Sequence, residues 1–110
     1  MARAQFSVAL VTTSGIDEAR KIAADLVEKN LAACCNIIPK VESIYRWEGK
    51  VENDAEALMI VKTRASFEKK LIKRVRELHS YSVPEVIFLS IHDGNPDYIK
   101  WLAQSTSAKK

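Results

Sequence analysis

The chain has 110 residues, 47% hydrophobic and 28% charged, which is typical of one globular domain and excludes a disordered chain. Its net charge of +3 comes from Arg3, Lys109 and Lys110 at the two ends, and the remainder has 14 basic and 14 acidic residues. This balance argues against a nucleic-acid partner. No apolar run approaches the roughly 20 residues that span a bilayer, and the N-terminal residues lack a signal-peptide pattern, so we expect a cytoplasmic protein without a membrane partner.

The first third of the chain predicts a strand, a helix and a second strand. Residues 5–13 are rich in apolar and β-branched types and predict a strand. Ser14 is the candidate N-cap of an amphipathic helix whose apolar residues recur at helical spacing and which ends near Asn30. An extended segment, residues 32–38, follows and is closed by Pro39.

The middle of the chain predicts a long β-hairpin. Residues 40–47 alternate between the two faces of a strand, a short loop contains Gly49, and residues 51–63 return as an extended run. A returning strand that begins at Lys50 would span roughly 45 Å at about 3.3 Å per residue. A helix of about 13 residues covers only about 20 Å, so we expect the hairpin to project beyond the helices.

The last third predicts a helix, a strand and a short terminal helix. Ser66 is the candidate N-cap of the second helix. Residues 86–91 predict a short, very apolar strand, and residues 97–104 predict the final helix. We expect the small and polar residues 105–110 to form a mobile tail.

The order of these elements predicts the fold class. A strand, helix, strand, strand, helix, strand sequence is that of the α+β ferredoxin-like fold, with an antiparallel sheet and two helices packed on one face. The short C-terminal helix is an addition to it, and residues 1–110 form one domain. The fold hosts many unrelated functions, so it does not by itself define a chemistry.

The projecting hairpin also predicts self-association. It carries Tyr45, Trp47 and Val51 beyond the helical layer, and an exposed strand edge with apolar side chains pairs readily with another chain. Closed symmetric assembly is the usual outcome. The alternative is a bent hairpin that folds back onto its own sheet.

Three sequence blocks resemble those of a known family. The first block covers residues 31–39, which read LAACCNIIP, and residues 43–52, which read SIYRWEGKVE. In the second block residues 79–85 read HSYSVPE, and in the third residues 94–101 read GNPDYIKW. In this order and spacing, from about residue 6 to residue 103, the chain is similar to the CutA family of divalent-ion tolerance proteins. The resemblance implies a ferredoxin-like protomer in a homotrimer, tolerance to divalent metals and especially copper, and no established catalytic reaction.

The resemblance also indicates which residues are candidate metal ligands. Copper binding in the family is associated with a cysteine in the first strand and two consecutive histidines, and this chain has Val11 and Leu78 at two of those positions. Only His79 matches, so His79 is the candidate ligand for copper or another divalent cation, with Cys34 as a secondary candidate. The alternative for Cys34 and its neighbour is one core thiol.

A second kind of site is a ligand cleft between subunits, as in trimeric nitrogen-regulatory signalling proteins of related fold. The candidate residues combine aromatic walls with titratable groups; they are Tyr45, Trp47, Lys62, Tyr81, Glu85 and Trp101. The alternative for the aromatic residues is packing at an interface. A ligand cleft would suit a small-molecule-responsive signalling or scaffold trimer with no specific metal site.

Two other functions find little support in the sequence. The second helix is rich in lysine and arginine, but residues 55–63 contain none of the aromatic residues that an RNA-recognition strand needs. With only three glycines, the chain has no glycine-rich phosphate loop beside an arginine, and no catalytic set has readable spacing. We therefore expect a protein that is not an enzyme.

Overall fold

A computed structural model describes residues 4–107 of the chain. Its elements are β1 (Phe6–Thr13), α1 (Ile16–Glu28), β2 (Cys34–Trp47), β3 (Lys50–Arg64), α2 (Glu68–Leu78), β4 (Val86–Ser90) and α3 (Pro96–Ser105). The four strands form one antiparallel sheet in the order β2-β3-β1-β4. This confirms the predicted α+β ferredoxin-like class. Within residues 4–107, no helix has both the length and the apolar character needed to span a membrane.

One face of the sheet is covered by α1 and α2. Side chains alternate between faces along a strand, and the odd-numbered residues of β1 and β3 point towards these helices. The fully buried residues of this core are Ala9, Val11, Ala19, Ile22, Leu26, Ala57, Met59, Val61, Leu71 and Val75. The two helices are also joined by charge, because the Arg74 guanidinium donates two 2.8 Å hydrogen bonds to the Asp25 carboxylate. That bond holds the pKa of Asp25 at about 2.

The other face is covered only at one end, by α3. Phe6 packs there with Leu102, and Arg64 of β3 donates to the Thr106 carbonyl at 3.1 Å and to the Ala103 carbonyl at 2.7 Å. Thr106 is fully buried, and its hydroxyl donates to the Leu102 carbonyl at 2.8 Å. The predicted mobile tail is therefore wrong at Ser105 and Thr106, whereas Ser107 is exposed and residues 108–110 lie outside the described part.

The hairpin of β2 and β3 is paired as far as Trp47 and Lys50. Its turn places Glu48 at φ 50 and Gly49 at φ 83, the left-handed region that a two-residue hairpin turn requires. Every residue from Ile44 to Val51 is exposed. The radius of gyration is 14.6 Å, against about 13 Å for a compact domain of this size, so the hairpin projects as predicted.

Several predicted element boundaries are wrong. Ser14 does not cap α1, because Gly15 holds that position and the Ser14 hydroxyl donates instead to Glu18 at 2.8 Å. Ser66 lies in a short 3-10 turn, Ala65–Phe67, that precedes α2. Pro39 does not end a strand, since β2 runs through it at a shift of register, where an edge strand tolerates a residue without an N–H.

Candidate functional site

A groove of about 760 Å³ lies between the hairpin and the loop that follows α2. It is lined by Thr12, Glu42, Ser43, Ile44, Tyr45, Trp47, Asp54, Glu56, Tyr81, Ser82, Val83 and Glu85. Four of the six predicted cleft residues therefore meet in one place, namely Tyr45, Trp47, Tyr81 and Glu85. The structure places the other two, Lys62 and Trp101, outside the groove lining.

The hairpin supplies one aromatic wall. Tyr45 lies on β2, and its hydroxyl donates a hydrogen bond to the carboxylate of Asp54 on β3. The accepting carboxylate raises the pKa of Tyr45 to about 12, because ionisation would place two negative charges side by side. Trp47 lies two residues further along β2 and is 46% exposed. The wall is thus held by side chains of the hairpin itself.

The loop after α2 supplies the facing wall. The Tyr81 hydroxyl donates to the Glu56 carboxylate at 2.7 Å, and burial together with this bond raises the pKa of Tyr81. Glu56 is only 9% exposed. A polar bond from the loop to β3 therefore closes the inner end of the groove.

His79 sits behind this wall with a fully buried side chain. Its Nε2 donates to the Thr12 carbonyl at 2.7 Å, and its Nδ1 accepts from the Tyr81 N–H at 3.0 Å. This pattern defines a neutral ring with its proton on Nε2. The Tyr81 ring packs 4.7 Å from the imidazole. Both nitrogens are thus used to position the loop, so the residues present do not offer an open imidazole ligand.

Glu18 fastens the same loop to α1. Its carboxylate accepts from the Ser80 N–H at 2.6 Å and the Ser80 hydroxyl at 3.0 Å, and from the Ser14 N–H and hydroxyl at 3.1 and 2.8 Å. Burial would raise the pKa of Glu18, but these bonds outweigh it and hold the pKa at about 2. Sequence reasoning missed this contact. Ser14 and Ser80 are far apart in the sequence, and serine is too common a residue for either position to indicate that both bind Glu18.

Cys34 and Lys62 form a separate cluster near α3. The Lys62 ammonium lies 4.0 Å from the Cys34 sulfur and donates to the Asn36 side chain, while Trp101 packs on Tyr98 with ring centroids 5.3 Å apart. Cys34 pairs with Lys62, which in turn pairs with Val8 at the far end of β1 from Thr12. The cluster therefore lies away from both the groove and His79.

The metal candidates do not converge. Among residues 4–107, no three His, Cys, Asp or Glu side chains are placed to hold a metal ion together. Cys35 points to the helical face, and burial raises the pKa of its thiol to about 12. His92 is exposed, as expected for a surface residue. The prediction that His79 and Cys34 bind metal remains a prediction, and the two residues do not form one coordination site.

The fold and the groove define a ferredoxin-like protein with a projecting hairpin and an acidic, ligand-sized groove between this hairpin and the loop after α2. The chain belongs to the family described as CutA1 divalent ion tolerance protein, whose profile matches residues 7–105. The family is named for tolerance to divalent ions and not for a catalysed reaction.

Similar proteins occur in bacteria, animals and plants. The divalent-cation tolerance protein CutA of Thermus thermophilus is 48% identical over 99 residues, which are 90% of this chain and 96% of that one. Protein CutA of Mus musculus is 47% identical over 93% of this chain, which spans only 58% of the mouse protein. The crystal structure of CutA1 from Oryza sativa superposes with a TM-score of 0.92 at 43% identity, covering 97% of this chain and 98% of that one.

The names of other relatives describe different compartments. One from Arabidopsis thaliana, 46% identical over 90% of this chain, is named chloroplastic, and this chain spans 54% of it. The solved protein from Archaeoglobus fulgidus, with a TM-score of 0.90 at 34% identity over 93% of this chain and 99% of that one, is titled periplasmic.

Proposed function

We propose that this chain works as a non-enzymatic homotrimer in tolerance to divalent metal ions, copper among them. The observation that carries the proposal is the open face of the sheet. On the neighbouring strands β1 and β4 it carries the apolar residues Val8, Leu10, Ile87 and Leu89, and neither α1 nor α2 covers them. Ile87 is 51% exposed and Leu89 is 55% exposed, and they pair with Leu10 and Val8 of the neighbouring strand.

A second copy of the chain is the natural cover for this face. Soluble monomers rarely leave a large apolar patch in water, and burying apolar area contributes about 25 cal/mol per Å². The sheet also ends in two unpaired outer strands, β2 and β4. Contacts between unlike edges generate a closed ring when the rotation between copies closes, and the resemblance to the CutA family supports a ring of three.

The role in metal tolerance is proposed because the chain belongs to this family. It does not include a specific chelating site. Soft metals such as copper prefer thiolate and imidazole ligands. The imidazole of His79 is hydrogen-bonded at both nitrogens, and the thiol of Cys34 lies beside an ammonium group. A copper ion at His79 would have to displace the loop contact at Tyr81, so the residues present do not fit a ready-made copper site.

A second candidate function is supported by the groove. A trimer that responds to a small organic molecule, without a specific metal site, would need a concave site with aromatic walls and a few polar groups. Tyr45, Trp47, Tyr81 and Glu85 provide such a site between the hairpin and the loop after α2.

Native mass spectrometry with graded copper(II) tests these proposals. We expect a trimer for the metal-free protein. Stoichiometric uptake of three copper ions that is lost in His79→Ala would establish the metal site, with Cys34→Ser testing the secondary candidate. Uptake that rises without saturation and does not change in either variant would assign the protein to the second candidate. A monomer would contradict the proposed assembly.

We also propose a cytoplasmic location, for which the cysteines are the support. Cys34 and Cys35 are both free thiols, and reducing compartments preserve free thiols. Fractionation of the source cells, with detection of the native chain, tests this location. Recovery of the protein in an organelle or periplasmic fraction would contradict it.

A further inference from the structure

The loop between β4 and α3 contains an aspartate followed by a glycine, Asp93 and Gly94. Asp93 is the only aspartate or asparagine of the chain that precedes a glycine. The backbone nitrogen of the next residue can attack the carboxyl carbon of an aspartate and close a five-membered imide ring. Glycine hinders this attack least, because it has no Cβ beside its nitrogen. The sequence therefore places one candidate for this rearrangement in the loop.

The structure holds the two reacting groups side by side. The Gly94 N–H donates to Asp93 Oδ1 at 2.8 Å. Because Oδ1 is bonded to the carboxyl carbon Cγ, this contact keeps the nitrogen close to the carbon that it would attack. Within residues 4–107, the Gly94 N–H has no other hydrogen bond, and the Asp93 carboxylate takes part in no ion pair. No second partner of the described chain therefore holds either group away from the reaction.

The surroundings of the pair also favour the rearrangement. Residues 92–94 belong to neither a helix nor a strand, and all three are exposed. The backbone at Asp93 can therefore rotate towards the ring geometry without breaking a hydrogen bond of the sheet or of α3. Exposure also gives water, the only other reactant, direct access to the pair.

We propose that Asp93 is a modification site, at which the aspartate is converted to isoaspartate without an enzyme. A bond forms between the Gly94 nitrogen and Asp93 Cγ, while the amide hydrogen and one carboxyl OH group leave together as water. Water then adds to the main-chain carbonyl carbon of Asp93 and opens the ring. The chain now continues through Cβ and Cγ, the former main-chain carbonyl becomes a carboxylate, and the total mass is unchanged. This chemistry is independent of metal binding and of the groove.

The product changes the start of α3. Gly94 packs closely against this helix, because a Cβ added to it would lie 3.1 Å from the Ile99 side chain. Asn95 caps the helix, and its side chain accepts from the Asp97 N–H at 3.1 Å. Isoaspartate lengthens the main chain by one carbon just before these contacts, so Gly94 and Asn95 cannot both keep them. The first turn of α3 is therefore loosened, at the end of the sheet that this helix covers.

Peptide mapping of the aged native protein tests the proposed site. The protein is kept at physiological temperature and neutral pH for several weeks, and a fresh sample digested in the same way gives the background. Trypsin releases residues 77–100 as one peptide, which contains both Asp93 and Asp97. Asp97 is also exposed, but it lies in α3 before the bulky Tyr98, so it is the internal control. Electron-transfer fragmentation is expected to show isoaspartate that increases with time at Asp93 and stays at background at Asp97.

The variant Asp93→Glu is the chemical control. It keeps the carboxylate, but attack by the next nitrogen would have to close a six-membered ring, so the modification is expected to be lost. Gly94→Ala is less suitable, because its Cβ would press on Ile99. Labelling with an isoaspartate-specific carboxyl methyltransferase and S-adenosylmethionine measures the same product independently, and the aged parent alone is expected to take up label.

Hydrogen exchange of residues 96–105 measures the effect on α3. Exchange is expected to become faster in the aged parent and to stay unchanged in aged Asp93→Glu. Isoaspartate that does not rise above the fresh sample, or that rises equally at Asp93 and Asp97, would overturn the proposed site. Isoaspartate at Asp93 with unchanged exchange in α3 would overturn the proposed effect on the helix.

Discussion

The two faces of the sheet are built from the same strands but differ in how far their side chains are buried. Ala9, Val11 and Met59 point to α1 and α2 and are completely buried, whereas Ile87 and Leu89 on the other face remain more than half exposed. One residue of shift along a strand changes the face to which a side chain points. The comparison indicates that the covered face stabilises the fold of one chain, and the open face is the one that the proposed association would cover.

The largest effect is expected from a charge on the open face. Leu89→Lys should convert the trimer to folded monomers at micromolar concentration, because a lysine in the assembled face would be buried without a counter-charge. Sedimentation velocity measures the assembly and circular dichroism the fold. Val27→Lys, which changes a 41% exposed apolar residue on α1, is the matched control and should stay trimeric. If Leu89→Lys also remained trimeric, the open face would not be the interface.

A cavity in the covered face should act on folding and not on assembly. Leu71 is fully buried, so Leu71→Ala is expected to lower the free energy of unfolding by about 2–5 kcal/mol. Urea unfolding followed at several protein concentrations measures it. The loss should be similar at every concentration at which the chain stays assembled. A subunit number that falls in this variant, with no loss of stability, would reverse the roles given to the two faces.

The bond between Asp25 and Arg74 gives a smaller and pH-dependent effect. The Asp25 side chain is 18% exposed, and Arg74→Ala leaves it without its guanidinium partner, at a cost of about 1–3 kcal/mol at neutral pH. Because the pKa of Asp25 falls from 3.8 to about 2 on folding, the pair stabilises the fold above about pH 4, and this contribution is lost as the pH falls towards 2.

Unfolding free energies of the parent and of Arg74→Ala, measured from pH 7 to pH 2, test this pair. The two curves are expected to converge at the acidic end. Lys73→Ala, an exposed neighbour on α2, serves as the control and should follow the parent curve throughout. A gap between the parent and Arg74→Ala that stayed constant over the whole range would assign the effect of Arg74 to packing and not to charge.

The smallest effect is expected at the hairpin turn, which lies outside both the covered face and the open face of the sheet. Gly49 has a φ of 83 and no neighbouring atom within 4 Å of an added Cβ, so Gly49→Ala would be disfavoured by backbone conformation alone. The cost should be about 1 kcal/mol. Thermal unfolding of this variant measures it, with Gly15→Ala, which has an extended backbone and open space, as the comparison. Equal losses in the two variants would exclude the turn as the cause.

The sequence predicted what depends on local pattern and missed what depends on distant residues. The apolar and β-branched composition of residues 5–13 and the extended run of residues 51–63 predicted β1 and β3 correctly, and the length of the hairpin predicted its projection. The N-cap at Ser14 was wrong because Glu18 takes its hydroxyl, and the mobile tail was wrong at Thr106 because Arg64 binds it from far away in the sequence.

The sequence also predicted only part of the candidate site correctly. Tyr45, Trp47, Tyr81 and Glu85 do meet, but Lys62 lies with Cys34 and Trp101 lies on α3. Which of these residues meet is decided by the register of β2 against β3 and by the docking of α3, and neither can be seen in a linear pattern. Asp54 and Glu56 lie on one face of β3 and make the groove acidic, and the contact of Asp54 with Tyr45 depends on that same register.

The mass of the native protein in solution tests the central claim most directly. Multi-angle light scattering at micromolar concentration should give three times the chain mass of 12.4 kDa, because the open face of each sheet is covered by its neighbours. A mass of 12.4 kDa at that concentration would mean that the open face stays in water, and it would contradict the account.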